Sequence, residues 1–305
     1  LVSTANRNDR FHLLNDPSIP KPDIDTAIHP IFRASNFANA SPRIYRNLQQ
    51  ALRLASTFLK YDSVLEWFVA PLMGLPLVDL HSRKTYLSDP LAYTTKAERR
   101  KLIGRVRRAL QCLSHSVQFQ FLTNSDVKFY ARTTFREARP VHKATCTQHF
   151  RSPRSVLIEL RKQYYDFLHN HYESSDPCEV LRHDFCLGVA LVHEICHAVG
   201  VMRRNNLSEP CIRLDHLDQP EFGYAWENFM FGGIINPFDQ VSSTVSFLMR
   251  KVWSDDKTAY AAGGKEWSTV PMSYIAQWFQ KRTWEIVALR GPTAIPPPIV
   301  RVKLR

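Results

Sequence analysis

Between Phe185 and Met202 nearly every side chain is apolar, and the exceptions fall together in the pentapeptide His193-Glu194-Ile195-Cys196-His197. Asp176-Pro177 is a helix-start signal, so the run from Cys178 to Met202 predicts a helix of about seven turns. A helix this apolar is buried on most of its sides. Two imidazoles and a carboxylate inside such a helix need polar partners or a metal ion, because burying them bare is costly. The rest of the chain must therefore build a core around this helix and supply what its polar groups require.

Residues four apart lie on one helix face, about one turn up, so His193 and His197 aim at a common point, as two ligands of one zinc ion must. Glu194 follows the first of them directly, where its carboxylate can take a proton from a metal-activated water. A catalytic zinc ion takes three protein ligands and keeps a fourth position open. One large class takes its third ligand from H-E-x-x-H-x-x-G-x-x-H. Gly200 stands where that glycine belongs, but the last position is Arg203, so this class is excluded. A glutamate from a second helix is the other source, and Glu221 and Glu227 both lie on a helix predicted over about residues 220–231, with Asp218 as N-cap and Gly232-Gly233 as its end. Glu221 is followed by Gly223 and Ala225, small residues that let two helices approach, and is preferred as third ligand; its alternative role is capping. Glu227 stays open as a ligand, or else as a partner of a ligand. The two are six apart, about 120° around a helix, so both do not serve one ion. Asp215, His216 and Asp218 are weaker candidates, and Tyr224 and His216 are candidates to stabilise an oxyanion.

His193-Glu194-Ile195-Cys196-His197 followed by such a glutamate resembles the gluzincin branch of the zincin metallopeptidases. The segment from Glu221 through Gly223, Trp226, Glu227 and Phe231 to Gly232-Gly233 is also similar to a pattern in fungal zincin-like proteins. The resemblance covers residues 183 to about 238. It implies an α+β, zincin-like fold, mostly helical, with a small mixed sheet ahead of the active-site helix. It also implies Zn2+ held by His193, His197 and Glu221 (or Glu227), Glu194 as general base, and a peptide or protein substrate paired with an edge strand. The N-E-x-x-S-D helix of thermolysin-like enzymes is lacking. Two other functions are weighed beside peptidase: a zincin fold acting on a non-peptide or modified-peptide substrate, and a basic nucleic-acid or protein-binding module in which the pentapeptide is structural.

The flanking sequence divides into an irregular arm (1–40), an N-terminal helical layer (41–112), the zincin-like catalytic region (113–295) and a basic tail (296–305), read as one compact domain. Ser41-Pro42 opens a helix to about Lys60, and Val64 to Met73 forms a second apolar segment. A basic helix starts at Thr94-Thr95. From Ser116 to Leu160 the period changes toward two, predicting four strands: Val117–Phe121, Val127–Arg132, Ala144–Phe150 and Ser155–Leu160. Lys162 to Tyr172 reads as a short helix on which His169 and His171 diverge, so they are surface histidines. Further helices are predicted over Val241–Trp253 and Pro271–Leu289, separated by a Gly263-Gly264 turn.

The formal net charge of +12 permits a polyanionic partner. The basic helix carries no interleaved aromatics for stacking, however, so nucleic acid is not favoured. Six cysteines without a C-x-x-C pair argue against a Cys-ligated structural zinc. No apolar run reaches the roughly 18 residues of a membrane span, which predicts a soluble chain. The sequons at Asn39 and Asn206 leave the compartment open, intracellular or secreted.

Overall fold

The structure is a computed structural model describing residues 15–124, 127, 129–137, 139–145, 150, 154–212, 220–236, 248–253, 255–298 and 301–304. Its principal elements are α1 (Pro42–Phe58), a hairpin of β1 (Pro76–Val78) and β2 (Thr85–Leu87), α2 (Lys96–Leu113), β3 (Val117–Phe121), β4 (Ala131–Arg136), β5 (Ser155–Leu160), α3 (Pro177–Arg204), α4 (Phe222–Phe231), β6 (Ile234–Ile235), β7 (Leu248–Arg250), β8 (Lys265–Thr269), α5 (Met272–Gln277), α6 (Lys281–Arg290) and β9 (Arg301–Leu304), with shorter helical turns between them. This is an α+β chain, with a hydrophobic core running from Ile31 to Ile295.

The apolar run becomes α3, the 28-residue centre of the core. Asp176 caps it, its Oδ1 accepting the Cys178 N–H at 2.8 Å, with Pro177 at the first helical position. Asn205 ends it in the left-handed conformation, φ 59°. By length and composition α3 is apolar enough to cross a membrane, contrary to the sequence expectation that no run is long enough, but 83% of its most apolar window is buried inside the protein. It is a core helix. α1 packs along it, with Ala51 and Leu54 against Gly188. Gly188 permits that approach: a Cβ there would lie 3.2 Å from Leu54 and 3.3 Å from the Ala51 carbonyl. At the end of α1, the Phe58 ring meets those of Trp226, Phe231, Trp278 and Trp284, each within 6.0 Å of it, tying α4, α5 and α6 to α1.

The sheet ahead of α3 has three strands in the order β3-β5-β4, β3 parallel and β4 antiparallel to β5. The second predicted strand is displaced toward the C-terminus: pairing begins at Ala131, and Thr133 sits opposite Ile158. The predicted strand from Ala144 is corrected, because Pro140–Thr145 is helical and Pro140 supplies its first-turn φ; residues 146–149 lie outside the described ones. Among the described residues β4 pairs only with β5, leaving its other edge free.

Three further expectations change. The helix predicted over Val241–Trp253 falls partly outside the described residues, and its Leu248–Arg250 portion is strand β7 in a second sheet ordered β6-β7-β8-β9. The helix predicted over Pro271–Leu289 breaks between α5 and α6, where the Gln280 backbone is extended and Trp284 Nε1–H bonds the Trp278 carbonyl at 2.8 Å. The tail contributes strand β9. Cys112 is disulfide-bonded, whereas Cys178, Cys186, Cys196 and Cys211 are buried, reduced thiols.

The arm is fastened by a histidine that titrates. His29 Nδ1 accepts the Ile31 N–H at 3.3 Å, capping a short 3-10 turn. Burial, then the nearby Arg107 charge, lowers its pKa from 6.5 to about 4. The unfolded chain therefore binds this proton more readily, and stability falls as pH drops from about 6.5 to 4. His29→Asn keeps a capping acceptor and removes the titration. In urea unfolding, its loss of stability between pH 7 and 4.5 should be smaller than wild type's by about 2–3 kcal/mol; equal losses would exclude His29 as the group responsible.

Candidate metal centre

α3 projects His193 and His197 from one face, and the N-terminus of α4 closes over them. Glu221 is the N-cap of α4, with extended backbone (φ −158°, ψ 111°), and its Oε2 accepts the Tyr224 N–H. Asp, Asn, Ser and Thr are the usual N-caps. The longer glutamate has a second oxygen to spare: Oε1 lies 3.1 Å from His193 Nε2 and 2.7 Å from His197 Nε2. The sequence placed the cap at Asp218, which lies outside the described residues; the cap is Glu221 itself. One ligating atom each from His193, His197 and Glu221 fall within 4.8 Å of one another.

The remaining imidazole nitrogens face carboxylates. Glu227 Oε1 is 2.6 Å from His193 Nδ1, and its Oε2 accepts the Ile235 N–H at 2.6 Å. Glu209 Oε1 is 2.8 Å from His197 Nδ1, and its Oε2 accepts the Phe222 N–H at 2.7 Å. Carboxylates accept, so both Nδ1 atoms carry protons and donate outward. In its neutral form each imidazole would turn an Nε2 lone pair toward Glu221 Oε1. Three acceptors would then meet with no proton among them, an arrangement that a cation relieves, whether a metal or added protons.

The titration behaviour expresses the same demand. Burial opposes a charge on His193 and on His197, but Glu221 with Glu227 outweighs it at the first and Glu221 with Glu209 at the second. The first pKa is held well above the usual histidine range and the second at about 10. Burial pushes Glu221 up, and the two imidazoles overcome it and leave the carboxylate strongly acidic. Burial raises Glu227 more than its bond from His193 lowers it.

Gly223 sets the distance between the helices. A Cβ there would lie well inside 3.0 Å of three atoms of the His193 ring. At Gly200 a Cβ would come within 2.8 Å of the Phe222 ring. These two glycines let α4 rest directly on α3.

Glu194 points the other way, toward the sheet, where its Oε2 accepts the Thr133 hydroxyl of β4 at 2.7 Å. His193, Glu194, His197, Glu221, Thr133 and Tyr224 line one cleft. A more apolar recess lies beside it, bounded by Tyr130, Tyr164, Val189 and Ile235 and sharing His193, Glu194 and Tyr224 with the cleft.

Of the residues singled out in the sequence, His193, His197 and Glu221 come together, and Glu194 lines the same cleft. Glu227 contacts Nδ1 of His193 rather than the converging Nε2 atoms, because six residues carry it around the helix. Tyr224 packs edge-on against His193, ring centroids 5.1 Å apart. Asp215 and His216, like Asp218, are outside the described residues. Arg203, at the position of the excluded histidine ligand, turns away to donate from Nε to the Leu72 carbonyl at 2.7 Å. Cys196 is fully buried, as expected of the pentapeptide's core-facing residue. Sequence reading missed Glu209 and Thr133. Glu209 lies in an aperiodic connection, where its one signal is a lone glutamate between the two site helices. Searches against protein-family models, curated proteins and solved structures find no match to the chain.

Proposed function

We propose that the chain is a zinc-dependent hydrolase of the gluzincin type and that its substrate is a peptide. The observation carrying this reading is the convergence of His193 Nε2, His197 Nε2 and Glu221 Oε1, with both Nδ1 atoms already committed to carboxylates. Two imidazoles and one carboxylate suit zinc, and carboxylate-backed histidines are typical partners of that ion. Zinc bound there supplies Lewis acidity toward a carbonyl and lowers the pKa of water to about 7.

The chain's own groups do the rest. Glu194 lies in the cleft beside the proposed ligands, where it takes a proton from the attacking water and returns it to the leaving amine. Glu227 and Glu209 hold the imidazole rings in orientation. The edge of β4 that pairs with nothing among the described residues borders the cleft through Thr133, and an extended peptide added to this edge would pass in front of Glu194. That edge is the observation favouring a peptide over a small molecule.

Zinc stoichiometry tests the reading. Wild type incubated with zinc and desalted should hold about one ion per chain. Glu221→Ala should lose more affinity than the roughly 10–100-fold expected when Glu227→Ala removes an outer partner. A wild-type chain that takes up no zinc would exclude the hydrolase, and equal losses in the two variants would exclude Glu221 as the ligand.

A further inference from the structure

We propose that Thr133 is a positioning residue for the general base, an inference that rests on the hydrolase reading above. Thr133 lies on β4 opposite Ile158, a fully buried residue, so its side chain shares the face of the sheet turned toward α3. The alternate residue Arg132 points to the other face, where it bonds Glu159 at 2.6 and 2.8 Å. The Thr133 hydroxyl is 2.7 Å from Glu194 Oε2 and 3.2 Å from the Glu194 carbonyl oxygen. It has one proton, and the ionised carboxylate is the stronger acceptor.

That single bond does two things. It fixes the orientation of the carboxylate at the end of a side chain with three torsions. It also draws Oε2 toward β4, so that Oε1 is the oxygen not engaged by Thr133 and can meet a water in the cleft. A base acts only when it is within hydrogen-bond reach of the proton it removes, and displacement by about 1 Å costs on the order of 10²-fold in rate. The donor sits on the strand whose other edge pairs with nothing among the described residues, so the element that would align the substrate also aligns the base.

Valine preserves the branched shape of threonine and removes the hydroxyl, so Thr133→Val tests the bond without emptying the site; Thr133→Ser restores it. With a peptide substrate, Thr133→Val should lower kcat by about 10- to 100-fold with KM and zinc content unchanged, and Thr133→Ser should recover most of the loss. Crystals of the metal-free variants give a second readout, with Glu194 in several rotamers in the valine protein and in one in the serine protein. A wild-type kcat in Thr133→Val, a loss that serine does not restore, or an unchanged single Glu194 rotamer in the valine crystals would overturn the proposal. Failure of the hydrolase reading is distinguishable: wild type itself would then cleave no peptide, while the rotamers would still report whether Thr133 holds Glu194.

Discussion

Glu194→Gln should bind zinc as wild type does and lose hydrolysis by about 10²- to 10⁴-fold in kcat, the range for removal of a general base, or about 3–5 kcal/mol of barrier. The amide keeps the size of the carboxylate, and its oxygen still accepts the Thr133 hydroxyl, so the side chain stays where it is. It cannot take a proton. Zinc affinity should be unchanged because Glu194 faces β4 while the proposed ligands face α4. Zinc content by elemental analysis, beside steady-state peptide cleavage, checks both halves. Retained turnover would remove Glu194 from the role of base. Loss of zinc along with turnover would mean that Glu194 supports the metal rather than the proton transfer.

The sequence expressed this site unevenly, for physical reasons. A pair of histidines one turn apart needs only a helix, and α3 is marked by an apolar run, a capping Asp176 and Pro177. The three polar residues within its apolar stretch 185–202 therefore stood out. Glu221 and Glu227 were visible as two glutamates on one helix, but their division of labour depends on where that helix begins. The cap is Glu221 rather than Asp218, which turns its carboxylate back over the first turn and leaves Glu227 to reach around to Nδ1. Glu209 and Thr133 carry no periodic signal at all. Each is fixed by pairings distant in sequence: Cys211, two residues beyond Glu209, exchanges backbone bonds with Thr85 and Leu87, and Thr133 is placed by the register of β4 on β5. The same limit explains the strand errors. Val127–Arg132 has strand-forming side chains, yet pairing with β5 starts only at Ala131, because register is chosen by the partner strand and the face it buries.

The second large effect is expected at Gly223, where local and tertiary preferences oppose each other. Gly223 is the second residue of α4, and its φ is not in the left-handed region, so alanine there is compatible with the backbone. Helix propensity alone would make Gly223→Ala stabilising by about 0.5–1 kcal/mol. The new methyl, however, would overlap the His193 ring. That ring cannot swing aside freely, since its Nδ1–H is held by Glu227, itself buried and bonded to the Ile235 N–H. Either the ring leaves the position facing Glu221 or α4 lifts from α3, and both separate Nε2 from Oε1. Gly223→Ala should therefore lose zinc affinity by at least about 10²-fold, given that merely loosening a ligand's orientation costs about 10- to 100-fold. Its metal-free stability should fall by about 1–3 kcal/mol, the usual cost of overpacking. Gly104→Ala is the control: a Cβ there meets only Arg108 Nη1, at 3.6 Å, so it should keep zinc affinity and melt at or slightly above the wild-type temperature. Zinc titration and thermal unfolding of both variants decide the matter. Wild-type zinc affinity in Gly223→Ala would mean that α4 does not rest against His193, and Glu221 would then have to be abandoned as the third ligand.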